Sequence, residues 1–225
     1  MLTDVWPLFG LVLRTPRLEL RLPSLEQLAE LGELAAEGVH DPAVMPFFVA
    51  WTDRPPAERA RSVLQHQWAQ WGRLAPERWS MEFVVLAGGT VVGLQGIEAT
   101  DFALTREVGS GSWLGRRHQG QGYGTEMRAA VLDLAFAGLG AERARSGAFT
   151  DNAASLGVSR RLGYVADGTA CQVVRDRPVT EQRLLLDRDR WAVHRTVPVE
   201  IEGLAPCLAL LGADATVGAG AGAPA

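Results

Sequence analysis

The stretch Gln119-Gly120-Gln121-Gly122-Tyr123-Gly124 decides how this chain folds and what it can bind. Its three alternate glycines leave backbone N–H groups uncovered, and the apolar-rich segment 125–138 that follows predicts a helix beginning near Gly122. The first N–H groups of a helix have no partner inside the helix, and the helix dipole favours negative charge there. The turn is therefore predicted to bind an anion such as a phosphorylated group.

Three interpretations of this turn can be compared. A dinucleotide fingerprint needs G-x-G-x-x-G, and Thr125 stands where the third glycine would be. A lysine-containing P-loop is excluded because all 22 basic residues are arginines, which also excludes a Schiff-base lysine for pyridoxal phosphate. An ordinary structural turn and a cradle for a pyrophosphate both stay open on local grounds.

The composition is that of a soluble globular protein, with 225 residues, 47% hydrophobic residues and room for one well-buried domain. The net charge of −4 argues against nonspecific nucleic-acid binding, and no apolar run approaches the roughly 18 residues of a membrane span. The first four residues lack the basic segment of a secretory signal, so we expect a cytoplasmic protein. Cys171, Cys207 and four scattered histidines predict free thiols and no metal site.

Hydrophobic periodicity predicts a mixed α/β fold in which a mostly antiparallel sheet is covered by helices. Strands are predicted at 14–22, 82–86, 91–98, 107–114, 143–149, 164–175 and 181–187, and helices at 24–36, 55–74, 122–138 and 152–162. Gly109 and Gly111 predict a bulge or a close backbone approach in the strand that contains them.

The predicted domain boundaries follow from these elements. One domain covers 11–190, an extension covers 191–211, and an Ala/Gly tail at 212–225 is expected to be disordered. The stretch Val197 to Ile201 is one more possible strand, which could extend the sheet into a partner copy and make a homo-oligomer.

Several motifs in order carry a family resemblance. Gln119-x-x-Gly122-x-Gly124 resembles the Q/R-x-x-G-x-G/A signature of the GNAT acyltransferase superfamily. Segments 13–20, 107–114, 152–155 and 162–164 resemble its RimJ/RimL-type branch, so the resemblance covers roughly residues 11–187. Segments 38–42, 45–47, 51–52, 110–115 and 122–130 resemble a mycobacterial member described as a succinyltransferase. The resemblance implies acetyl-CoA or succinyl-CoA as donor, and as acceptor a small-molecule amine or a protein N-terminus or lysine.

The resemblance assigns the pyrophosphate of coenzyme A to the N–H groups of residues 120–124. Arg116 and Arg117 can add charge-assisted contacts, or they are a solvated basic pair. A bulged strand would let the pantetheine arm pair with free backbone groups, and an N–H near Leu114 can stabilise the oxyanion. The donor-binding residues expected are Ser112, Trp113, Leu114, Arg116, Arg117, Gln119, Gly120, Gln121, Gly122, Tyr123, Gly124, Thr125, Asn152 and Ser155.

The catalytic expectations also rest on the resemblance. Many family members protonate the leaving thiolate with a Tyr, and that position is Ser159 here. RimJ/RimL-type members instead resemble this chain at Asn152 and Ser155, so Ser155 is the expected acid, although Asn152 is equally explained as a helix cap. Glu107 is the favoured carboxylate for amine deprotonation, with Glu98 as the other choice.

The acceptor pocket is expected from the early loop, whose residues can also be ordinary core. Its lining would be His40, Met45, Phe47, Phe48 and Trp51. The carboxylate of a succinyl group could meet His40 or Arg54. A covalent route through Cys171 is disfavoured because no histidine lies near it in sequence. Two further function classes stay open, a noncatalytic acyl-CoA sensor and a nucleotide-binding protein unrelated to CoA.

Overall fold

The computed structural model describes residues 1–214, so the predicted tail lies outside the described residues except for its first three. The helices are α1 (Leu2–Val5), α2 (Leu25–Glu37), α3 (Pro56–Arg73), α4 (Phe102–Thr105), α5 (Tyr123–Asp133), α6 (Ala153–Arg161) and α7 (Arg188–His194). The strands are β1 (Val12–Arg14), β2 (Leu18–Arg21), β3 (Arg78–Ala87), β4 (Thr90–Thr100), β5 (Glu107–Leu114), β6 (Arg143–Phe149), β7 (Val165–Val174), β8 (Arg177–Asp187) and β9 (Glu200–Glu202).

Nine strands of the described chain form one sheet, in the order β7-β8-β6-β5-β4-β3-β2-β1-β9. All neighbours are antiparallel except β5 and β6, which are parallel and are joined by the α5 crossover. The predicted mixed, mostly antiparallel sheet covered by helices is confirmed. A single π-helical turn, Leu134–Gly138, extends α5 toward the end that the sequence predicted.

Helices cover both faces of the sheet, with a separate apolar cluster on each. The larger cluster holds α5, whose Met127, Ala130 and Val131 are buried against the sheet. On the opposite face, α2 buries Leu28, Leu31 and Leu34 at three-residue spacing, because that spacing places them on one side of a helix. Ser24 begins α2 as predicted, since its side chain accepts from the Gln27 N–H in a capping box.

Two predicted details of the strands are wrong. The single strand predicted at 14–22 is two strands, β1 and β2, because Thr15 and Pro16 form a turn in which the Thr15 N–H donates to the Leu18 carbonyl. The register of β5 against β4 is continuous, so β5 has no bulge among the described pairs. At Gly109 a Cβ would lie 3.2 Å from Glu98 Cγ, so the close approach there is made by a side chain and not by the backbone that the sequence predicted.

The residues after β8 complete the same sheet and the same core. The predicted strand near Val197 is β9, and it pairs with β1 of its own chain. Leu211 and Cys207 are fully buried in the larger cluster, and Trp79 Nε1 donates to the Leu211 carbonyl over 2.9 Å. Burial raises the pKa of the Cys207 thiol to about 11, so this cysteine stays protonated and is a core residue.

Candidate active site

The glycine turn is an exposed row of unused N–H donors at the beginning of α5. Gly120 and Gly122 have φ of +75° and +84°, a left-handed conformation that favours glycine. Among the described residues, the N–H groups of residues 120–124 have no hydrogen-bond acceptor, whereas those of Thr125 and Glu126 bond to the Gly122 carbonyl. The turn therefore has the geometry of an anion cradle, and it fits a pyrophosphate.

Gln119 anchors this turn to its surroundings. Its Nε2 donates to the Val39 carbonyl over 2.7 Å and to the Leu114 carbonyl over 3.0 Å. The side chain therefore ties the end of β5 to the loop that follows α2. Gln119 was expected to bind the acyl-CoA. In the structure it supports the turn, because its Nε2 is already used in these two hydrogen bonds.

Arg17, which sequence reasoning missed, lies at the mouth of the turn. Its Nη1 donates to the Gln121 carbonyl over 3.0 Å, and its guanidinium lies over the Tyr123 ring. Glu126 in the first turn of α5 orients it, accepting from Arg17 Nε over 2.6 Å. A positive charge is thus placed beside the open N–H groups, where it would attract phosphate. An interaction between residues so distant in sequence leaves no local pattern that could reveal it.

The two arginines that precede the turn differ in their contacts. Arg117 forms an exposed ion pair with Glu37 and donates to His118 Nε2 over 3.1 Å. Arg116 is exposed and has no ion-pair partner within residues 1–214. Of the predicted pair, Arg116 is therefore the one whose charge is available to a ligand.

Strands β5 and β6 diverge in front of the turn. They pair only at Glu107, Val108 and Gly109, although β5 continues to Leu114. The Gly115 N–H donates to the Val92 carbonyl, so every second N–H group of β5, counted back from Gly115, points toward β4. The N–H groups of Ser110, Ser112 and Leu114 consequently face the gap between β5 and β6, here called the splay. The free backbone groups expected on β5 arise from this divergence, not from a bulge.

A buried arginine lies directly beneath the splay. Arg128 of α5 is 5% exposed, and its Nη1 and Nη2 donate to Ser159 Oγ over 3.0 Å and Ser112 Oγ over 3.3 Å. It has no carboxylate partner among residues 1–214, and desolvation lowers its pKa. Burial raises the pKa of the neighbouring Tyr164, an effect that the Arg128 charge opposes. Sequence reasoning did not select Arg128, because a helical arginine is ordinarily solvated.

Asn152 and Ser155 begin α6, which packs beside α5. The Asn152 side chain accepts from the Ser155 N–H over 3.0 Å, so the helix-cap interpretation of Asn152 is what the contacts show. The Ser155 hydroxyl is half-buried and has no hydrogen-bond partner within the described chain. Ser159, one turn later, is fully buried and accepts from Arg128.

The two carboxylates considered for proton transfer border one polar cavity of about 920 Å³ on the α3 side of the sheet. Glu107 forms ion pairs with Arg143 and Arg145, so both of its oxygens face guanidinium groups. Glu98, on the adjacent strand, is exposed and forms no ion pair among residues 1–214. The structure therefore separates a tethered carboxylate from an available one.

The loop between α2 and α3 carries the five predicted acceptor residues and brings four of them, His40, Met45, Phe47 and Trp51, together. His40, Phe47, Trp51 and Trp113 follow one another at ring-centroid distances of 5.6, 5.3 and 5.8 Å. Thr52 contacts Met45 Sδ at 3.7 Å, and the exposed Phe48 packs on Phe149 at the far end of β6. This loop therefore covers the splay on the side opposite α5.

The tip of the β7–β8 hairpin contacts the loop between α2 and α3. Arg175 at its tip pairs with Asp53, and its guanidinium donates to the Pro42 carbonyl over 3.4 Å. A cavity of about 370 Å³ lies beneath this contact, lined in part by His40 and Arg59. The hairpin tip and the loop thus meet over a cavity whose lining residues are not those of the glycine turn.

This geometry agrees with the family that matches the sequence. The family model described as acetyltransferase (GNAT) domain matches residues 17–165, which include the turn, the splay and the beginning of α6. The chain belongs to the GNAT acetyltransferase family.

Solved structures share the fold of this GNAT domain at low identity. Mycobacterium smegmatis RimJ in complex with CoA-disulfide is 17% identical with a TM-score of 0.66, covering 85% of this chain and 97% of that chain. RimL, described as a ribosomal L7/L12 alpha-N-protein acetyltransferase in complex with coenzyme A, is 17% identical with a TM-score of 0.60, covering 78% and 97%. A GNAT-family acetyltransferase from Bacillus anthracis is 15% identical with a TM-score of 0.59, covering 79% and 99%.

Two other features, a metal centre and a membrane-spanning helix, are absent from residues 1–214 of the GNAT chain. Residues 1–214 contain no group of three or more His, Cys, Asp or Glu side chains arranged to hold a metal ion. None of the helices in that range is both long and apolar enough to span a membrane.

Proposed function

We propose that this GNAT domain transfers an acyl group from a coenzyme A thioester to a primary amine, directly, in a ternary complex. The divergence of β5 and β6 is the observation that carries this proposal. It leaves one open face toward the glycine turn and another toward the aromatic loop, so donor and acceptor can enter from opposite sides. Holding both reactants in one gap supplies the proximity that direct transfer needs.

The donor side is formed by the turn and by β5. The N–H groups of residues 120–124 hold the pyrophosphate, and Arg17 and Arg116 add positive charge beside it. The N–H groups of Ser112 and Leu114 face the splay, where they pair with pantetheine and stabilise the oxyanion of the tetrahedral intermediate. The bound thioester supplies the activated acyl group.

Proton transfer is assigned to the two groups whose side chains are free. Glu98 accepts the amine proton through water, because Glu107 is engaged by Arg143 and Arg145 and serves to position the cavity wall. The Ser155 hydroxyl donates to the departing thiolate, while Asn152 holds the beginning of α6 in place. The sequence favoured Glu107 for accepting the amine proton, and this assignment replaces it with Glu98 on the adjacent strand.

The acceptor is proposed to be an amine that enters between the loop and the β7–β8 hairpin. RimL, whose fold is similar, is described as acting on a ribosomal protein N-terminus, and this favours an exposed N-terminus or lysine of a protein as acceptor. The cavity of about 370 Å³ also suits a small-molecule amine. The negative charge and the reduced thiols fit a cytoplasmic enzyme.

A donor screen tests the proposed function. The protein is incubated with acetyl-CoA or succinyl-CoA and an amine panel of small amines and peptides, and free thiol is followed over time. We expect amine-dependent thiol release, with kcat falling by about 10- to 100-fold in Ser155→Ala and Glu98→Gln. Full activity in the variant that combines Ser155→Ala and Glu98→Gln would refute the assigned residues. If no combination of donor and acceptor releases thiol, transferase activity is refuted.

The covalent alternative is tested at Cys171. This cysteine lies exposed on β7, and Cys207 is fully buried. Direct transfer predicts that Cys171→Ser keeps the activity of the unaltered protein. Loss of turnover in a variant whose circular dichroism and Tm are unchanged would favour a thioester intermediate on the enzyme.

A noncatalytic acyl-CoA sensor is the second candidate function. It is favoured by the contacts of Asn152 and Glu107, since both have structural partners that account for them without catalysis. A sensor would bind acyl-CoA with a measurable Kd and release no thiol with any amine. The same donor screen, combined with calorimetric binding, distinguishes the two functions.

A further inference from the structure

The Arg128 site is a positive charge without an anion. The guanidinium is nine-tenths buried, and its recorded partners within residues 1–214 are the hydroxyls of Ser112 and Ser159. A buried charge is costly unless an opposite charge and a complete set of hydrogen bonds compensate it. Two neutral hydroxyls supply neither, so the site is incomplete in electrostatic terms.

Further polar atoms of this cluster are buried. Arg128 Nε has no hydrogen-bond partner within the described chain, and the Ser110 and Tyr164 hydroxyls have none apart from each other. All three can donate a proton, and Tyr164 is 5% exposed. What the cluster lacks is an acceptor with several lone pairs and negative charge, which is the description of a carboxylate.

Two serines of the cluster lie on β5, beside the splay. Ser110 and Ser112 lie on the same face of β5, about 7 Å apart, and both are half-buried at the splay. The Ser112 N–H faces the gap where the thioester carbonyl is proposed to bind. In a four-carbon diacid, the second carboxyl carbon lies about 4 Å from the first carbonyl carbon, because three C–C bonds of about 1.5 Å separate them. Such a chain reaches from Ser112 toward Ser110.

We propose that Arg128, Ser110 and Tyr164 form a subsite that binds the terminal carboxylate of a dicarboxylic acyl-CoA and so selects a four-carbon diacid donor. This inference rests on the proposed function, and it names the donor class of that same site. It replaces His40 and Arg54, the two residues that the sequence offered as partners of a succinyl carboxylate. Both ring nitrogens of His40 are already bonded, to the Asp41 carbonyl and to Thr52 Oγ1, and Arg54 is exposed on the loop.

The test compares succinyl-CoA with butyryl-CoA, which has the same chain length without the carboxylate. Binding is measured by calorimetry without acceptor, so that the readout does not depend on turnover, and kcat/KM is measured with the best amine. We expect the unaltered protein to prefer succinyl-CoA by about 10- to 100-fold in both measurements. Arg128→Met should abolish the preference while leaving CoA binding intact.

Two conservative variants and one control keep the test decisive. Tyr164→Phe and Ser110→Ala each remove one donor and leave the charge, so each should reduce the preference by about 3- to 10-fold. Arg161→Met removes an exposed charge from α6 and should change neither measurement. If Arg128→Met does not fold, the two single-donor variants decide the question.

The outcomes separate this inference from the proposed function. Transfer of acetyl and butyryl groups without preference for succinyl would overturn the carboxylate subsite and leave the transferase intact. A preference that survives in Arg128→Met, Tyr164→Phe and Ser110→Ala would also overturn the subsite. Absence of binding to CoA or any acyl-CoA would instead refute the proposed function itself.

Discussion

Arg17 and Glu126 join the β1–β2 turn to the first turn of α5 through both backbone and side chain. The Arg17 backbone N–H donates to Glu126 Oε1 over 3.0 Å, and Arg17 Nε donates to Glu126 Oε2 over 2.6 Å. The Glu126 side chain is only 8% exposed, and Thr15 also donates to it over 2.7 Å. A buried carboxylate thereby fixes the arginine that faces the glycine turn.

Replacing Glu126 is therefore expected to damage both stability and binding. In Glu126→Gln, Arg17 loses its counter-charge, and we expect the free energy of unfolding to fall by about 2 kcal/mol. Because Arg17 is then less ordered beside the turn, the Kd for coenzyme A should rise several-fold. Urea unfolding and calorimetry measure the two effects. Glu37→Gln, which breaks an exposed pair with Arg117, should leave stability almost unchanged.

The left-handed conformation of Gly122 gives a second prediction. In Gly122→Ala, a side chain must adopt φ near +84°, and its Cβ would lie 3.2 Å from Arg17 Nη2. We expect a loss of about 1–2 kcal/mol in stability and weaker coenzyme A binding. Gly157→Ala in α6 is the matched control, since its Cβ meets open space and alanine should stabilise the helix by about 0.5–1 kcal/mol. Equal effects of the two variants would contradict the explanation.

The pair His66–Glu82 predicts a pH dependence of stability. His66 Nε2 lies 2.7 Å from Glu82 Oε1, and this hydrogen bond raises the His66 pKa in the folded protein. The resulting stabilisation is complete below the ordinary histidine pKa of about 6.5, and it is lost as pH rises through the folded pKa. The Tm difference between the unaltered protein and His66→Gln should therefore be largest near pH 5.5 and shrink by pH 8.5. A Tm difference that grows with pH would contradict a raised His66 pKa in the folded protein.

The burial of Leu211 predicts that the segment after β9 is part of the core. Leu211 is fully buried, and its carbonyl accepts from Trp79 Nε1. Leu211→Ala should cost about 2–5 kcal/mol, because it leaves a cavity that the surrounding side chains cannot fill. Leu104→Ala removes the same atoms from a side chain that is 82% exposed, and it should change stability by less than about 0.5 kcal/mol. Thermal unfolding of the two variants gives the comparison.

The sequence predicted those parts of the fold that local patterns encode. The three-residue spacing of leucines in α2, the Gly88-Gly89 turn and the glycine turn at 119–124 all act through near neighbours, and the structure confirms each of these elements. The sequence did not predict that the first strand is divided into β1 and β2, because the Thr15 turn between them is stabilised partly by Glu126, which is remote in sequence. The same remoteness concealed Arg17.

The site was predictable in outline and less so in its charges. Gly120, Gly122 and the strand β5 were found because glycine and strand patterns are visible in one dimension, whereas the free groups on β5 were expected from a bulge and arise from its divergence from β6. Which carboxylate is free was not visible, since it depends on Arg143 and Arg145 lying beside Glu107 on the adjacent strand. Arg128 was missed because its burial depends on how α5, α6 and β5 pack together.

The pairing of β9 with β1 also has a consequence during synthesis of the chain. Leu13 pairs with Ile201, so the outer edge of β1 waits for its neighbour until nearly all of the described chain has been translated. At about 5–20 residues per second, that delay is roughly 10–40 s. Throughout it, β1 presents unpaired backbone groups that other nascent chains can recruit. Docking of β9 then covers this edge and leaves the three-residue β9 as the last strand of the sheet.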